Sequence, residues 1–234
     1  NSGSYNQSTT GVRGEWTPKF NPWSKYYVAI NQATTFIAHI DECKELTGEE
    51  REVMKAEARF LRAYYYFNLF KQYGPIYLWY DQIADLAIKS EVIDRNTVDE
   101  CVGFIEKEMY DAAQILPKTI QDPTTWMGRM TKGAALGMRS RVLLFAARPL
   151  FNGGGMVNHE GKPIFPQGED LNKWTKAAEA AKMVIDLDVY KLHFNKTETD
   201  PVLKAMNSYR EVFTEKWNEE LIIARYYKDG EVWN

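Results

Sequence analysis

The stretch from Thr47 to Tyr73 constrains this chain more than any other part of it. Thr47-Gly48-Glu49-Glu50 reads as a capping box, in which the threonine hydroxyl accepts from the Glu50 amide and the Glu50 carboxylate reaches back. Val53, Ala56, Phe60, Ala63, Phe67 and Phe70 then recur on one helical stripe, and Met54, Ala58, Leu61, Tyr65 and Leu69 on a second. Up to about Glu57 the helix is half polar. Beyond Phe60 it is apolar nearly all round, which predicts burial on every side. Gly74-Pro75 stops it by a glycine cap and a proline. The chain around such a helix is expected to be all-α, or mainly so.

The rest of the sequence supplies the neighbours. Residues 1–21 are polar and rich in Gly, Ser and Thr, and read as an irregular lead-in. Pro22 opens a helix whose Trp23, Tyr26, Tyr27, Ile30, Ala33, Ile37 and Ile40 fall on one face, ending near Asp41. Ile76–Tyr80 is either a short strand or an extended segment lying across the helices. Thr97-Val98-Asp99-Glu100 is a second capping box, and its helix runs to Leu116 before Pro117. Gln121–Gly128 reads as a loop. Thr131 caps a helix through Arg148, whose Gly133, Ala134, Ala135 and Gly137 predict close approach by a neighbouring helix. The glycine-rich stretch Phe151–Gly168 is a long loop, a kind of segment that is often functional. Asp170 or Asn172 opens a further helix carrying Trp174, Ala177, Ala181 and Val184. Ser208–Phe213 reads as a short helix and Leu221–Tyr226 as a strand.

Helix starts near 98, 132 and 172 lie 34 and 40 residues apart. That is close to the tetratricopeptide period of about 34, without the W-x2-L-G-x2-Y consensus. The expected architecture is a degenerate array of tetratricopeptide-like helical hairpins with long loops and little β-structure, forming one domain over residues 1–234.

Composition excludes several classes. The 44% hydrophobic and 26% charged fractions belong to a folded globular chain. A net charge of −3 argues against nucleic acid as a partner. Arg129, Lys132, Arg139, Arg141 and Arg148, around one helix, read as its solvated or ion-paired side. Cys43 and Cys101 are too few for a disulfide scaffold or a metal site, and each reads as a small buried residue, with a single bridge between them left open. No run of 18 apolar residues is present.

Catalytic equipment is equally scarce. His39, His159 and His193 are scattered, with no HExxH among them. His159-Glu160 is a lone pair of titratable neighbours. Gly153-Gly154-Gly155 follows a helix rather than a strand and lacks the lysine of a phosphate loop. No enzyme activity, cofactor or metal is expected. The aromatic share of 14% is what stands out. Trp16, Trp79 and Trp126 fall in predicted loops and Trp23 at a helix start. Each alone reads as a plug holding a loop to the core; the four together are the candidate ligand-binding residues, because sugar rings pack their C–H faces on indole.

Several segments resemble the SusD/RagB family. Glu57-Ala58-Arg59-Phe60-Leu61-Arg62-Ala63-Tyr64-Tyr65-Tyr66-Phe67, closing with Tyr73-Gly74-Pro75-Ile76, is similar to its signature helix. Arg95-Asn96-Thr97-Val98, Gly128-Arg129-Met130-Thr131-Lys132-Gly133-Ala134-Ala135, Pro149-Leu150-Phe151-Asn152-Gly153 and Trp174-Thr175-Lys176-Ala177-Ala178-Glu179-Ala180-Ala181 follow in the family's order. The resemblance spans roughly Trp23 to Arg225. It implies a lipid-anchored protein exposed on the cell surface at the outer membrane of Bacteroidetes-type bacteria. It also implies a lid on a SusC-type TonB-dependent transporter that captures oligosaccharides, or in some members peptides, for import.

Members are about twice this length, and their lipidated cysteine near the N-terminus has no counterpart here. The chain is therefore expected to be the earlier portion of a longer protein, its anchor outside this sequence. A helical-repeat adaptor binding only protein is the alternative from another class. Ligand residues of the family follow no shared motif, so the resemblance adds none to the four tryptophans.

Overall fold

A computed structural model describes residues 22–84, 94–120, 122–126, 128–215 and 218–224, with the side chains of Pro123 and Thr124 outside the description. The lead-in, including Trp16, lies outside the described residues. Among the described residues six helices of 14 residues or more carry the fold: α1 Trp23–His39, α2 Gly48–Tyr73, α3 Val98–Ile115, α4 Lys132–Ala147, α5 Asn172–Ile185 and α6 Pro201–Thr214. A short 3-10 turn, Ile40–Glu42, follows α1.

Each of the first four helices packs on its successor, α1 on α2, α2 on α3, α3 on α4 and α4 on α5, as in a row of helical hairpins. Among the described residues there is no strand, only an isolated antiparallel bridge between Val157 and Pro163. No described helix is long and apolar enough to cross a membrane.

The two capping boxes are present. Glu50 N donates to Thr47 Oγ1 at 3.2 Å and Thr47 N to Glu50 Oε2 at 2.8 Å; the Thr97–Glu100 pair repeats this at 3.2 and 2.7 Å. Gly74 ends α2 at φ +70°, a backbone that side chains with a Cβ rarely adopt. The core joins Phe60, Tyr66, Phe67, Leu69 and Phe70 of α2 to Ile30, Ile105, Met109, Leu136 and Val142 of its neighbours.

Burial of α2 on every side is where the expectation needs correcting. Arg62, in its apolar half, is completely buried. Its Nε and Nη2 donate to Glu108 of α3, Nη1 donates to the Tyr80 carbonyl at 2.9 Å and Nη2 to Asp81 at 2.9 Å. Arg59 holds the other oxygen of Glu108 at 2.9 Å. Desolvation opposes the guanidinium charge, but Glu108 and Asp81 outweigh it, and the Arg62 pKa is raised. Lys71 and Gln72 remain exposed at the end of the helix. So α2 is an aromatic helix with a buried ion network at its centre.

Ile76–Trp79 pairs with no strand, and Tyr80 turns away at φ +53°; apart from the Ile76 and Trp79 carbonyls, which accept from Asn96 N and Gln82 N, side chains satisfy its backbone. Leu78 N donates to Asn96 Oδ1 at 2.9 Å, Trp79 N to the Tyr66 hydroxyl at 3.0 Å, and the Tyr27 hydroxyl to the Tyr77 carbonyl at 2.8 Å. Cys101 is buried and Cys43 half-buried, and both are free thiols.

Four further readings change. Gln121–Gly128 includes a helical turn, Pro123–Trp126. The helix expected over Ser208–Phe213 runs from Pro201 to Thr214, with the Asp200 carboxylate accepting from Val202 N and Leu203 N. The described part of the expected strand at Leu221–Tyr226, residues 221–224, is irregular. The long loop at 151–168 is pinned down: Phe151 and Phe165 enter the core, and Ile164 O accepts from Val98 N at 2.9 Å at the start of α3.

Candidate functional site

The predicted tryptophans separate into two places, apart from Trp16. Trp23 begins α1 and Trp79 lies in the extended segment, and Tyr27 bridges them with ring centroids 5.0 and 5.3 Å away. Trp23 also meets Tyr73 edge-on at 4.9 Å, and the Arg95 guanidinium lies 5.7 Å from its ring. Arg95 Nη1 in turn donates to the carbonyls of Tyr73 and Pro75, at the negative end of α2. Both tryptophans are half-buried. Their tilted and edge-on contacts interlock the rings, so much of their faces is spent on neighbours.

Trp126 is placed differently. It ends the one-turn helix and is 47% exposed, so a large part of its indole meets solvent. The guanidinium of Arg129 lies 4.7 Å from its ring centroid. That guanidinium is itself fixed: Arg129 Nε donates to Glu57 Oε1 of α2 at 2.8 Å, and the ion pair raises the Arg129 pKa. The result is an exposed indole backed by a cation that α2 holds in position.

Arg129 also lines a cleft of about 240 Å³, bordered by Lys118–Ile120, Gly128, Thr131, Val189, Tyr190, Asn218, Glu219 and 221–224. The volume is slightly below the roughly 300–1,000 Å³ of ligand pockets and suits one small ring or the end of a chain. Thr131 caps α4 through Ala134 N and shares a 3.4 Å contact with the Tyr190 hydroxyl.

Tyr190 can occupy this wall because residue 133 is glycine. A Cβ there would stand 2.0 Å from the tyrosine oxygen. Gly137 likewise faces Ile222, 3.5 Å from where its Cβ would be. These two glycines therefore admit cleft-wall side chains, rather than the neighbouring helix that the sequence suggested.

Chemically the cleft offers cationic and hydroxyl donors, a phenol and an apolar wall. Glu219 is the one carboxylate among its described lining residues. The arrangement suits holding a polar, weakly amphipathic ring. Sequence reasoning missed Lys118, Tyr190 and Asn218, which come from three separate loops. Gly133 was the one local sign, since a glycine inside a helix usually has a packing reason.

Three comparisons bear on this geometry. A family model, SusD-like and described as starch-binding associating with the outer membrane, matches residues 2–144. The chain is similar to a solved SusD-like protein (BF3747) of Bacteroides fragilis, 26% identical with a TM-score of 0.66, over 89% of this chain and 34% of that one. It is similar also to the solved protein BT4246, 26% identical with a TM-score of 0.63, over 81% of this chain and 36% of that one. The chain thus spans about a third of the length of either relative. No curated protein matches it.

Proposed function

Because the chain belongs to the SusD-like family, described as starch-binding and associating with the outer membrane, we propose that it binds oligosaccharides at the bacterial surface without breaking them. In this reading it is held at the outer face of the outer membrane by a lipid anchor. It presents captured glycan to a SusC-type TonB-dependent transporter. The observation that carries the binding step is Trp126, an exposed indole backed by Arg129, which also lines the cleft. A pyranose C–H face stacks on the indole, and hydroxyls reach Thr131, Asn218 and Lys118. Trp23 and Trp79 remain in the proposal as a secondary aromatic surface.

The test is calorimetry of the pure chain against a panel of α- and β-glucans, other plant glycans and short peptides. Saturable binding of a glycan that is recovered intact supports the reading. Trp126→Ala should weaken that binding by about tenfold or more, roughly 1.4 kcal/mol, as truncation of an aromatic anchor does. Saturation by peptides alone would point to a peptide-capturing member of the same family. Shortened glycan products would reject the non-catalytic step. Unchanged affinity in Trp126→Ala would move the site to the Trp23–Trp79 surface.

A further inference from the structure

Helix α6 ends in a cluster that neither the cleft nor the aromatic surfaces use. Glu211 lies in its last turn and Glu215 follows at the C-cap, one helical turn on. Both face His193, from the extended segment that precedes the helix. His193 Nε2 lies 3.0 Å from Glu211 Oε2 and 3.8 Å from Glu215 Oε2. The three donor atoms are all within 4.8 Å of one another. The surroundings hold them there: His193 N donates to Glu220 Oε2 at 3.1 Å, and Asn195 Nδ2 donates to the second oxygen of Glu211. The side chains of His193 and Glu211 are 14% and 17% exposed and that of Glu215 is 47%, so the group is walled on one side and open on the other.

The electrostatics of this helix end call for a cation. Carboxylates at i and i+4 repel one another. The last turn is also the negative end of the helix dipole, and here it carries no basic residue. Glu220 brings a third carboxylate close by. Among the described residues, His193 is the one basic side chain within ion-pairing distance of Glu211 or Glu215; Arg210 acts on Glu211 without a direct contact.

We propose that His193, Glu211 and Glu215 bind one divalent transition-metal ion of the zinc class, tying the end of α6 to the segment before it. One imidazole nitrogen with two carboxylate oxygens is a donor set for such ions. Calcium and magnesium prefer all-oxygen shells. Ligands about 2.0–2.1 Å from a tetrahedral zinc stand roughly 3.3 Å apart, which lies between the two separations from His193, so small side-chain rotations close the set. Water takes the fourth position. The tie has a mechanical purpose, because α6 packs on no other described helix and metal binding contributes directly to the stability of the folded form.

Zinc chloride titrated calorimetrically into the chelator-stripped chain tests the site. One equivalent should bind with micromolar or tighter affinity and raise the melting temperature. Glu215→Gln, at a half-exposed position and checked for an intact fold by circular dichroism, should weaken binding about tenfold or more, and His193→Gln should abolish it. His39→Ala and His159→Ala should bind as the parent does. The proposal is overturned by an absence of saturable binding, by Glu215→Gln retaining full affinity, by loss of binding in His159→Ala, or by calcium competing equally.

Discussion

At the scale of single residues, Arg62 shows how a charge enters a core without being costly to it. Its guanidinium spends its N–H groups on Glu108, Asp81, Thr34 and the Tyr80 carbonyl, and Glu108 is shared with Arg59. One ionic centre thereby joins α1, α2, α3 and the extended segment. Glu108→Gln should destabilise the chain by about 3–5 kcal/mol, because it leaves a buried cation short of its counter-charge. Urea denaturation measures this. The double change Arg62→Met with Glu108→Leu should recover most of the loss, since a packed apolar pair removes both desolvation penalties. A double variant as unstable as the single would show that the network contributes more than charge pairing. The sequence displays Arg62 inside the family's signature helix but not its burial, because its main partner stands 46 residues away.

At the scale of elements, local chemistry was the most legible. Both capping boxes are complete within four residues, and each appears in the structure with its paired hydrogen bonds. Thr47→Ala and Thr97→Ala should each cost about 1 kcal/mol in urea denaturation, and Ser substitutions should restore most of it. Equal stability of parent and alanine variants would mean that tertiary packing alone holds these helix ends. Where elements were misjudged, the deciding contacts were distant or the cue was read too narrowly. Helix α6 was foreseen only over Ser208–Phe213, although Asp200-Pro201 is itself a cap followed by a proline at the first turn. Leu221–Ile223 has strand-like residues but lines the cleft as irregular chain, with Ile222 against Gly137.

At the scale of the whole molecule, α1 to α5, each packed on the next, make a core with buried titratable groups. Burial raises the Cys101 thiol from 9.0 to about 12 and the Tyr66 phenol from 10.0 to about 12, and it raises the Tyr27 phenol as well. The unfolded chain releases these protons near their ordinary values, while the folded chain retains them. Stability from this source is complete below about pH 9 and declines as pH rises towards 12, each unit of elevation corresponding to about 1.4 kcal/mol. Melting temperatures at pH 8, 9.5 and 11 should fall across the series. Cys101→Ala should flatten part of the decline, and an unchanged melting temperature at pH 11 would contradict the burial of these groups.

What the sequence by itself determined is the helical class, the positions of the main helices and the family, because periodicity, caps and stops act over a few residues and recur in order. What only the tertiary structure decided is which aromatic residues remain open. Trp23 and Trp79 turn their rings into Tyr27, whereas Trp126 keeps nearly half its surface in solvent and leans on Arg129. No local pattern separates these cases, since exposure depends on what the chain folds over each ring. The aromatic helix from Thr47 to Tyr73 was visible from its own residues. The cleft beside it is assembled from four separate stretches of chain, and the buried ion network at the centre of the helix from residues 46 positions apart.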